Sequence, residues 1–352
     1  MGDIMLDFKI DEKTSWEKIK ESGKSVVIYG MGNGADKVID EFNRLEIPIL
    51  GVTASDDFVR GQIFRGFKVK KLSEFDGDFI IAVGFATCIP DVMNHICSLA
   101  ERYRVIVPCV PVFGDEIFNR EFVEKNADKI NAAYNLFEEE SKRIFAGCVN
   151  FMFGGELETL KSITSEKDEV FKNVLKLNSS ESYLDLGAYR GDTVEEFLHY
   201  CGGEYESITA LEPDRRTYKK LCDYFENIPR STAYQKAIYN EITTLCFSNK
   251  AGRQSTISEK GIEIETATVD NLCDDKKVTY IKMDVEGAEK EAIDGAEKTL
   301  KEQKPKLNIA LYHRSVDIFD IPLQIAKINP DYKFHILRHP YIPCWDMNLY
   351  CV

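Results

Sequence analysis

Twice along this chain an apolar strand breaks into a glycine turn, and the turn opens straight into a helix. The first unit runs Ser25-Val26-Val27-Ile28-Tyr29, then Gly30-Met31-Gly32-Asn33-Gly34. Its helix carries Val38, Ile39, Phe42 and Leu45 on an i, i+1, i+4, i+7 stripe. The second runs Ser182-Tyr183-Leu184-Asp185-Leu186, then Gly187-Ala188-Tyr189-Arg190-Gly191. Its helix is expected to start near Asp192 or Thr193, either of which would be an N-cap of the usual type. Repeated strand-turn-helix units call for parallel strands with helices packed on the sheet.

The rest of the chain keeps the alternation. Strands are expected at 47–52, 67–69, 79–83 and 104–107, with a helix over 89–102. Residues 117–150 read as helix, with Ile130, Tyr134, Phe137, Ser141 and Ile144 near one face. That segment is expected as a packed connector; a substrate lid or a dimer face is the other reading. Further strands are expected at 208–211, 232–238, 278–283 and 306–311. Helices fall at 215–226, 288–300 and 322–328, and a short hairpin near 243–247 and 263–269. Two last strands, 333–337 and 348–352, flank a proline-rich loop.

The expected fold class is α/β: two doubly wound Rossmann-like domains joined by a helical segment. Domain boundaries are placed at 1–113, 114–180 and 181–352, in keeping with 352 residues at roughly 150 per domain. Five parallel strands and a terminal antiparallel pair make the second domain a class I methyltransferase layout. A nicotinamide-binding domain does not need that last hairpin.

Charge narrows the partners. Against 59 acids stand 45 bases, a net −14, so a nucleic-acid backbone is not the expected partner. Residues 1–13 are acidic, with no apolar core of a secretory signal, and the longest apolar runs are too short to span a membrane. Ten cysteines show no Cys-x-x-Cys pair and read as reduced thiols. A cytoplasmic protein with no membrane span is expected, acting on a small-molecule or glycan acceptor and able to form a homo-oligomer.

The second turn has the form Asp185-x-Gly187-x-x-x-Gly191. Glycine at 187 would let a ligand lie directly on the backbone. Glu212 stands at the end of the next strand, where a carboxylate can accept both hydroxyls of a ribose. These features fit NAD and S-adenosylmethionine alike.

Resemblance separates the two. Asp185-Leu-Gly-Ala-Tyr-Arg-Gly-Asp-Thr193, Leu211-Glu-Pro-Asp214, Thr268-Val-Asp-Asn-Leu272, Tyr280-Ile-Lys-Met-Asp-Val-Glu-Gly-Ala-Glu289 and the ending Leu349-Tyr-Cys-Val352 resemble the FkbM family of S-adenosylmethionine-dependent methyltransferases. The resemblance covers residues 181–352 and is most specific at Lys282 to Glu289. It implies O-methylation, often of a sugar hydroxyl in a glycan, sugar nucleotide or natural product. S-adenosyl-L-methionine is the implied cofactor. Its expected site takes in Asp185, Gly187, Ala188, Tyr189, Gly191, Thr193, Glu212, Pro213, Ala237 and Asp284.

Methyl transfer from a sulfonium is mostly alignment, with a base to take the hydroxyl proton. Asp284, at the carboxyl end of a central strand, and His313, in Leu311-Tyr-His-Arg314, are the catalytic candidates. His313 would be the base, with an ordinary pKa near 6.5. Glu286 and Glu289 follow Asp284 closely, and both acids also suit a helix N-terminus. Asp284, Glu286 and His313 could together hold Mg²⁺ or Mn²⁺, although no metal is assigned. Arg314, His335, Arg338 and His339 are weighed as ligands for an acceptor's anionic part and read rather as ordinary surface.

The first turn, with Gly30, Gly32 and Gly34, resembles Rossmann-like domains attached to sugar-nucleotide-modifying enzymes, and is a candidate nucleotide site. It leaves two alternatives: a nucleotide-binding oxidoreductase that uses this turn, or a non-catalytic nucleotide-binding protein of a polysaccharide pathway.

Overall fold

A computed structural model describes residues 4–247 and 261–352. Residues 1–3, the start of the acidic amino-terminal segment, lie outside it. The chain divides into two units. One takes in 1–134, 139–165 and 338–347, the other 135–138, 166–337 and 348–352.

The first unit is built on six strands: β1 (Ser25–Tyr29), β2 (Ile49–Thr53), β3 (Ile63–Phe64), β4 (Phe67–Lys70), β5 (Phe79–Val83) and β6 (Arg104–Ile106), ordered β3-β4-β2-β1-β5-β6. All pair in parallel except the short β3, which folds back on β4. The helix Asn33–Arg44 buries Ala35, Val38, Ile39 and Phe42, and Leu45 packs against the same core.

The glycines of the first turn have unequal reasons to be there. Gly30 adopts φ 127°, and a Cβ on it would stand 2.9 Å from the Phe85 ring. A Cβ on Gly34 would stand 2.8 Å from the Gly84 carbonyl oxygen. Gly32, the helix N-cap, is extended, with nothing within 4 Å of a Cβ. Packing of the segment after β5 therefore accounts for two of the three glycines. Gly32→Ser should leave stability unchanged or slightly raised, since serine is a good N-cap. Gly34→Ala should cost about 1–3 kcal/mol, the usual cost of forcing an atom into filled space. Equal denaturation midpoints for the two variants would refute this division.

Segment 114–180, expected as one connector, is shared out between the units. Its helices are Arg120–Tyr134 and Glu139–Gly154, interrupted where Phe137 forms a parallel bridge with Phe334. A backbone that pairs with a strand cannot also continue the helical ladder.

The second unit carries β7 (Ser182–Leu186), β8 (Ser207–Leu211), β9 (Ser231–Tyr234), β10 (Ala237–Ile238), β11 (Thr244–Phe247), β12 (Ile262–Ala267), β13 (Tyr280–Met283), β14 (Lys306–Ala310) and all but one end residue of β15 (Phe334–Arg338) and of β16 (Met347–Cys351). Seven of them form a sheet ordered β15-β16-β14-β13-β7-β8-β9. Strands β9, β8, β7, β13 and β14 are parallel, and β16 runs antiparallel to β14. This is the expected five-plus-two layout.

Three expectations need correction. The third strand does not run through 232–238. It stops at Tyr234, and Ala237 lies in β10 of a separate sheet, paired in parallel with β12. The helix expected over 288–300 is two, Glu289–Asp294 and Glu297–Glu302. Between them Gly295 sits where a Cβ would be 2.4 Å from the Tyr239 carbonyl oxygen. The Asp270 carboxylate accepts from the Lys298 and Thr299 amides at the start of the second helix. Finally, neither Asp192 nor Thr193 caps its helix. Gly191 is the N-cap, in the left-handed region at φ 92°, and the Thr193 hydroxyl is turned inward instead.

The ten cysteines are all unbridged. Among the described residues no helix is long and apolar enough to cross a membrane.

Candidate active site

The site grows from the carboxyl ends of β7, β8, β13 and β14, the edge where open parallel sheets bind ligands. Its floor is an ion pair set by register. Lys282 on β13 is the Cα partner of Asp185 on β7. Asp185 is fully buried and Lys282 nearly so, with Nζ 3.5 Å from Oδ1. Thr193 donates its hydroxyl to Asp185 Oδ2 at 2.5 Å, and Lys282 donates to the Gly187 carbonyl at 2.9 Å. Burial raises the Asp185 carboxyl above its ordinary range, against the pull of Lys282 and Thr193. Burial also works against the Lys282 charge, but Asp185, then Asp284, hold its pKa above the usual value.

Above this floor the glycine turn is strapped to the end of β8. The Gly187 and Ala188 amides donate to the Leu211 carbonyl, at 3.1 and 3.0 Å. Tyr189 is left-handed at φ 48°, a costly conformation for a residue with a Cβ. Its amide donates to Glu212 Oε2 at 2.9 Å, while the Asp214 amide donates to Oε1 at 2.8 Å. Glu212 is 7% exposed. Burial pushes its carboxyl up to about 7, even though those two amides favour the charged form. Each oxygen keeps a further lone pair, so this buried, under-solvated carboxylate fits a ribose diol. Pro213 follows it directly at the strand end.

Gly187 has a different reason from the expected one. At φ 82° a Cβ would lie 2.0 Å from the Asp284 carbonyl oxygen. What approaches this glycine is the chain itself, at the end of β13.

That contact leads to the acids. The Tyr312 hydroxyl donates to Asp284, at 3.3 and 3.2 Å from its two oxygens. His313 is 1% exposed, with Nε2 3.4 Å from Asp284 Oδ1 and 3.5 Å from Glu286 Oε2. Its Nδ1 lies 2.8 Å from Glu289 Oε1. Glu289 also accepts from the Val285 amide at 2.9 Å. Burial alone would lower the histidine pKa, but Glu289, and after it Asp284 and Glu286, raise it to about 10. The expectation of a neutral imidazole with an ordinary pKa therefore fails: three carboxylates hold it charged at neutral pH. Asp317, also buried, accepts from the Arg314 amide at 2.7 Å, and burial followed by the charge of Glu289 pushes its carboxyl up.

The structure brings together Asp185, Gly187, Ala188, Tyr189, Gly191, Thr193, Glu212 and Asp284. It does not place Ala237 at the end of the third strand. Arg338 and His339 are not surface residues: each is at most 2% exposed. Arg338 donates to the Leu160 carbonyl and Thr164 hydroxyl, and His339 Nδ1 lies 3.1 Å from the Ser165 carbonyl. Arg314 donates to the Gly287 carbonyl at 2.9 Å, and His335 is half-buried with its pKa lowered by burial. Lys282, Tyr312 and Asp317 were not foreseen as site residues. For Lys282 the signal was available, as a lone charged residue in the otherwise apolar strand Tyr280-Ile-Lys-Met283. For Tyr312 and Asp317 no sequence pattern marked them out.

Residues 185–336 match the family model described as the methyltransferase FkbM domain. Among solved structures, the fold is similar to the methyltransferase FkbM from Methylobacillus flagellatus KT. The TM-score is 0.71 at 19% identity, covering 98% of this chain and 94% of that one. Weaker similarity links it to a precorrin-6y C5,15-methyltransferase from Geobacter metallireducens GS-15, with TM-score 0.34, 12% identity, and 55% and 94% of the two chains covered. For Aeropyrum pernix fibrillarin in complex with S-adenosyl-L-methionine the corresponding values are 0.33, 12%, 50% and 67%. No curated relative matches the chain.

Proposed function

We propose that this methyltransferase, whose FkbM domain spans residues 185–336, transfers a methyl group from S-adenosylmethionine to a sugar hydroxyl of a glycan, sugar nucleotide or natural product. The observation that carries the proposal is the close approach of Gly187 and Asp284. That approach supports reading the turn as the donor's cradle and Asp284 as the acid on the acceptor side.

When bound, S-adenosylmethionine supplies a methyl group on a positively charged sulfur, which takes back the bonding pair as the methyl leaves. Everything else falls to the chain. Glu212 accepts the two ribose hydroxyls, and the turn from Gly187 to Gly191 cradles the remainder. Asp284, 34% exposed by side chain and so open to a ligand, accepts the hydroxyl proton of the acceptor. Tyr312 and the His313 imidazolium steady that carboxylate between transfers. A sugar hydroxyl suits this edge because carboxylates are strong, directional acceptors for O–H groups. The oxidoreductase alternative loses its main support, since packing accounts for Gly30 and Gly34.

The test is methyl transfer from S-adenosylmethionine to a panel of sugars, sugar nucleotides and glycans, with products read by mass. Transfer to nitrogen or carbon acceptors only would refute the O-methylation reading.

Glu212 makes a separate prediction. Its carboxyl titrates near 7, and the charged form is the better double acceptor. S-adenosylhomocysteine should thus bind more tightly as pH rises from 6 to 8. Below the pKa the loss should approach tenfold per pH unit. Glu212→Gln should weaken binding roughly ten- to a hundred-fold and flatten the profile, because a charged hydrogen bond is worth about 1.5–3 kcal/mol. A wild-type affinity indifferent to pH over this range would count against the assignment.

A further inference from the structure

We propose that Asp284, Glu286 and His313 form a binding site for one divalent cation of the Mn²⁺ kind. A donor atom from each lies within 4.8 Å of the others. From His313 Nε2 to Asp284 Oδ1 is 3.4 Å, and to Glu286 Oε2 3.5 Å. Charge-assisted hydrogen bonds close to about 2.7–2.9 Å, so these contacts are long for that purpose. They suit neighbouring positions around an ion. With metal–donor lengths of about 2.1 Å, such donors stand about 3 Å apart, and a small contraction would complete the sphere.

Two observations outside the three ligands point the same way. The first is Glu289, itself 1% exposed, whose Oε1 lies 2.8 Å from the other ring nitrogen of His313. A metal-ligating histidine almost always donates its second N–H to such a carboxylate, which leaves the opposite nitrogen for the ion. The second is charge. Three carboxylates face a single imidazole, with the buried Asp317 close behind. The nearby cations are engaged with other groups: Lys282 with Asp185, Lys290 with Asp320, and Arg314 with the Gly287 carbonyl. Glu289 Oε2 is buried and has no hydrogen-bond partner among the described residues. An ion at Nε2 takes the place of the imidazolium proton, which is released on binding, and sets a doubly charged group against the three carboxylates. Two carboxylates and one imidazole suit Mn²⁺ better than Mg²⁺, which prefers all-oxygen shells.

The purpose of the ion rests on the methyl-transfer reading. Asp284 and Glu286 are partly exposed, so the ion keeps open positions for an acceptor hydroxyl. Bound there, the hydroxyl gives up its proton to Asp284 Oδ2. Its oxygen bonds the methyl carbon while the carbon–sulfur bond breaks, and S-adenosylhomocysteine leaves.

The experiment titrates the full, metal-stripped chain with Mn²⁺ and follows loss of the free-ion electron paramagnetic resonance signal. Calorimetry with S-adenosylhomocysteine runs on the same samples. One ion per chain is expected. Glu286→Gln should weaken it at least about tenfold by removing a ligand charge, and Glu289→Gln roughly 10–100-fold through His313. Glu297→Gln, at an exposed position on the helix beyond Gly295, should change nothing. No bound Mn²⁺, or equal binding by wild type and Glu286→Gln, overturns the cation site. If S-adenosylhomocysteine still binds then, the methyltransferase reading stands. If Mn²⁺ binds as expected and S-adenosylhomocysteine does not, the cation site stands and the cofactor assignment falls.

Discussion

Lys282→Met is expected to destabilise the second unit by about 3–5 kcal/mol, the cost of leaving a buried charge without its partner. Asp185 would then keep neutral donors such as the Thr193 hydroxyl, but no cation at 3.5 Å, in a fully desolvated position. The double variant Lys282→Met/Asp185→Asn should recover most of the loss, because removing both charges removes the desolvation penalty as well. The sign with pH follows. Asp185 already has a raised pKa in the folded protein, and losing Lys282 raises it further. An acid whose pKa is higher folded than unfolded binds its proton more readily in the native state. The single variant should therefore close the gap to wild type as pH falls and widen it as pH rises. Denaturant midpoints for all four proteins at pH 5 and pH 8 are the measurement. A single variant within 1 kcal/mol of wild type at pH 8 would remove the pair from the account of the fold.

Asp284→Asn should leave S-adenosylhomocysteine affinity near wild type and lower turnover by roughly 10²–10⁴-fold, the scale for a lost general base. Asparagine keeps the size and still accepts from Tyr312, so the fold around Gly187 is preserved. Asp284→Glu should recover part of the rate, since the charge returns with its oxygens displaced by one methylene. Steady-state kinetics on the acceptor found in the panel would show it. If Asp284→Asn instead raises KM and spares kcat, the residue binds the acceptor and takes no proton.

Much of this architecture was legible in the residues. The turns at 30–34 and 187–191, the strand ending at Asp284 and the terminal antiparallel strand each carry a local pattern. The pattern reflects forces acting within a few residues, such as alternation, glycine conformations and apolar stripes. The misreadings share a different origin. Gly295 divides a helix because Tyr239 and Asp270, far away in the chain, arrive at its backbone. Thr193 points inward because Asp185, on the strand that leads into the same turn, is buried and takes its hydroxyl as a donor. His313 is charged because Glu289, Glu286 and Asp284 surround it from another segment. Ala237 changes sheet because β12 offers it a partner. None of these neighbours has a spacing rule along the chain, so periodicity could not reveal them.

The backbone approach between Gly187 and Asp284 bears on how such an enzyme can diversify. The distance from methyl donor to acceptor oxygen must be held to a fraction of an ångström for an in-line displacement. With the donor on the turn at Gly187 and the acceptor at Asp284, as proposed, the gap between them is fixed by the pairing of β7 with β13 and by main-chain contact at their ends. No rotamer sets it. A side chain on the acceptor side, such as Tyr312, can then be exchanged to admit a new acceptor without disturbing the span the methyl group has to cross. Inheritance can thus vary the customer while the reaction's geometry stays put, provided that position 187 remains glycine.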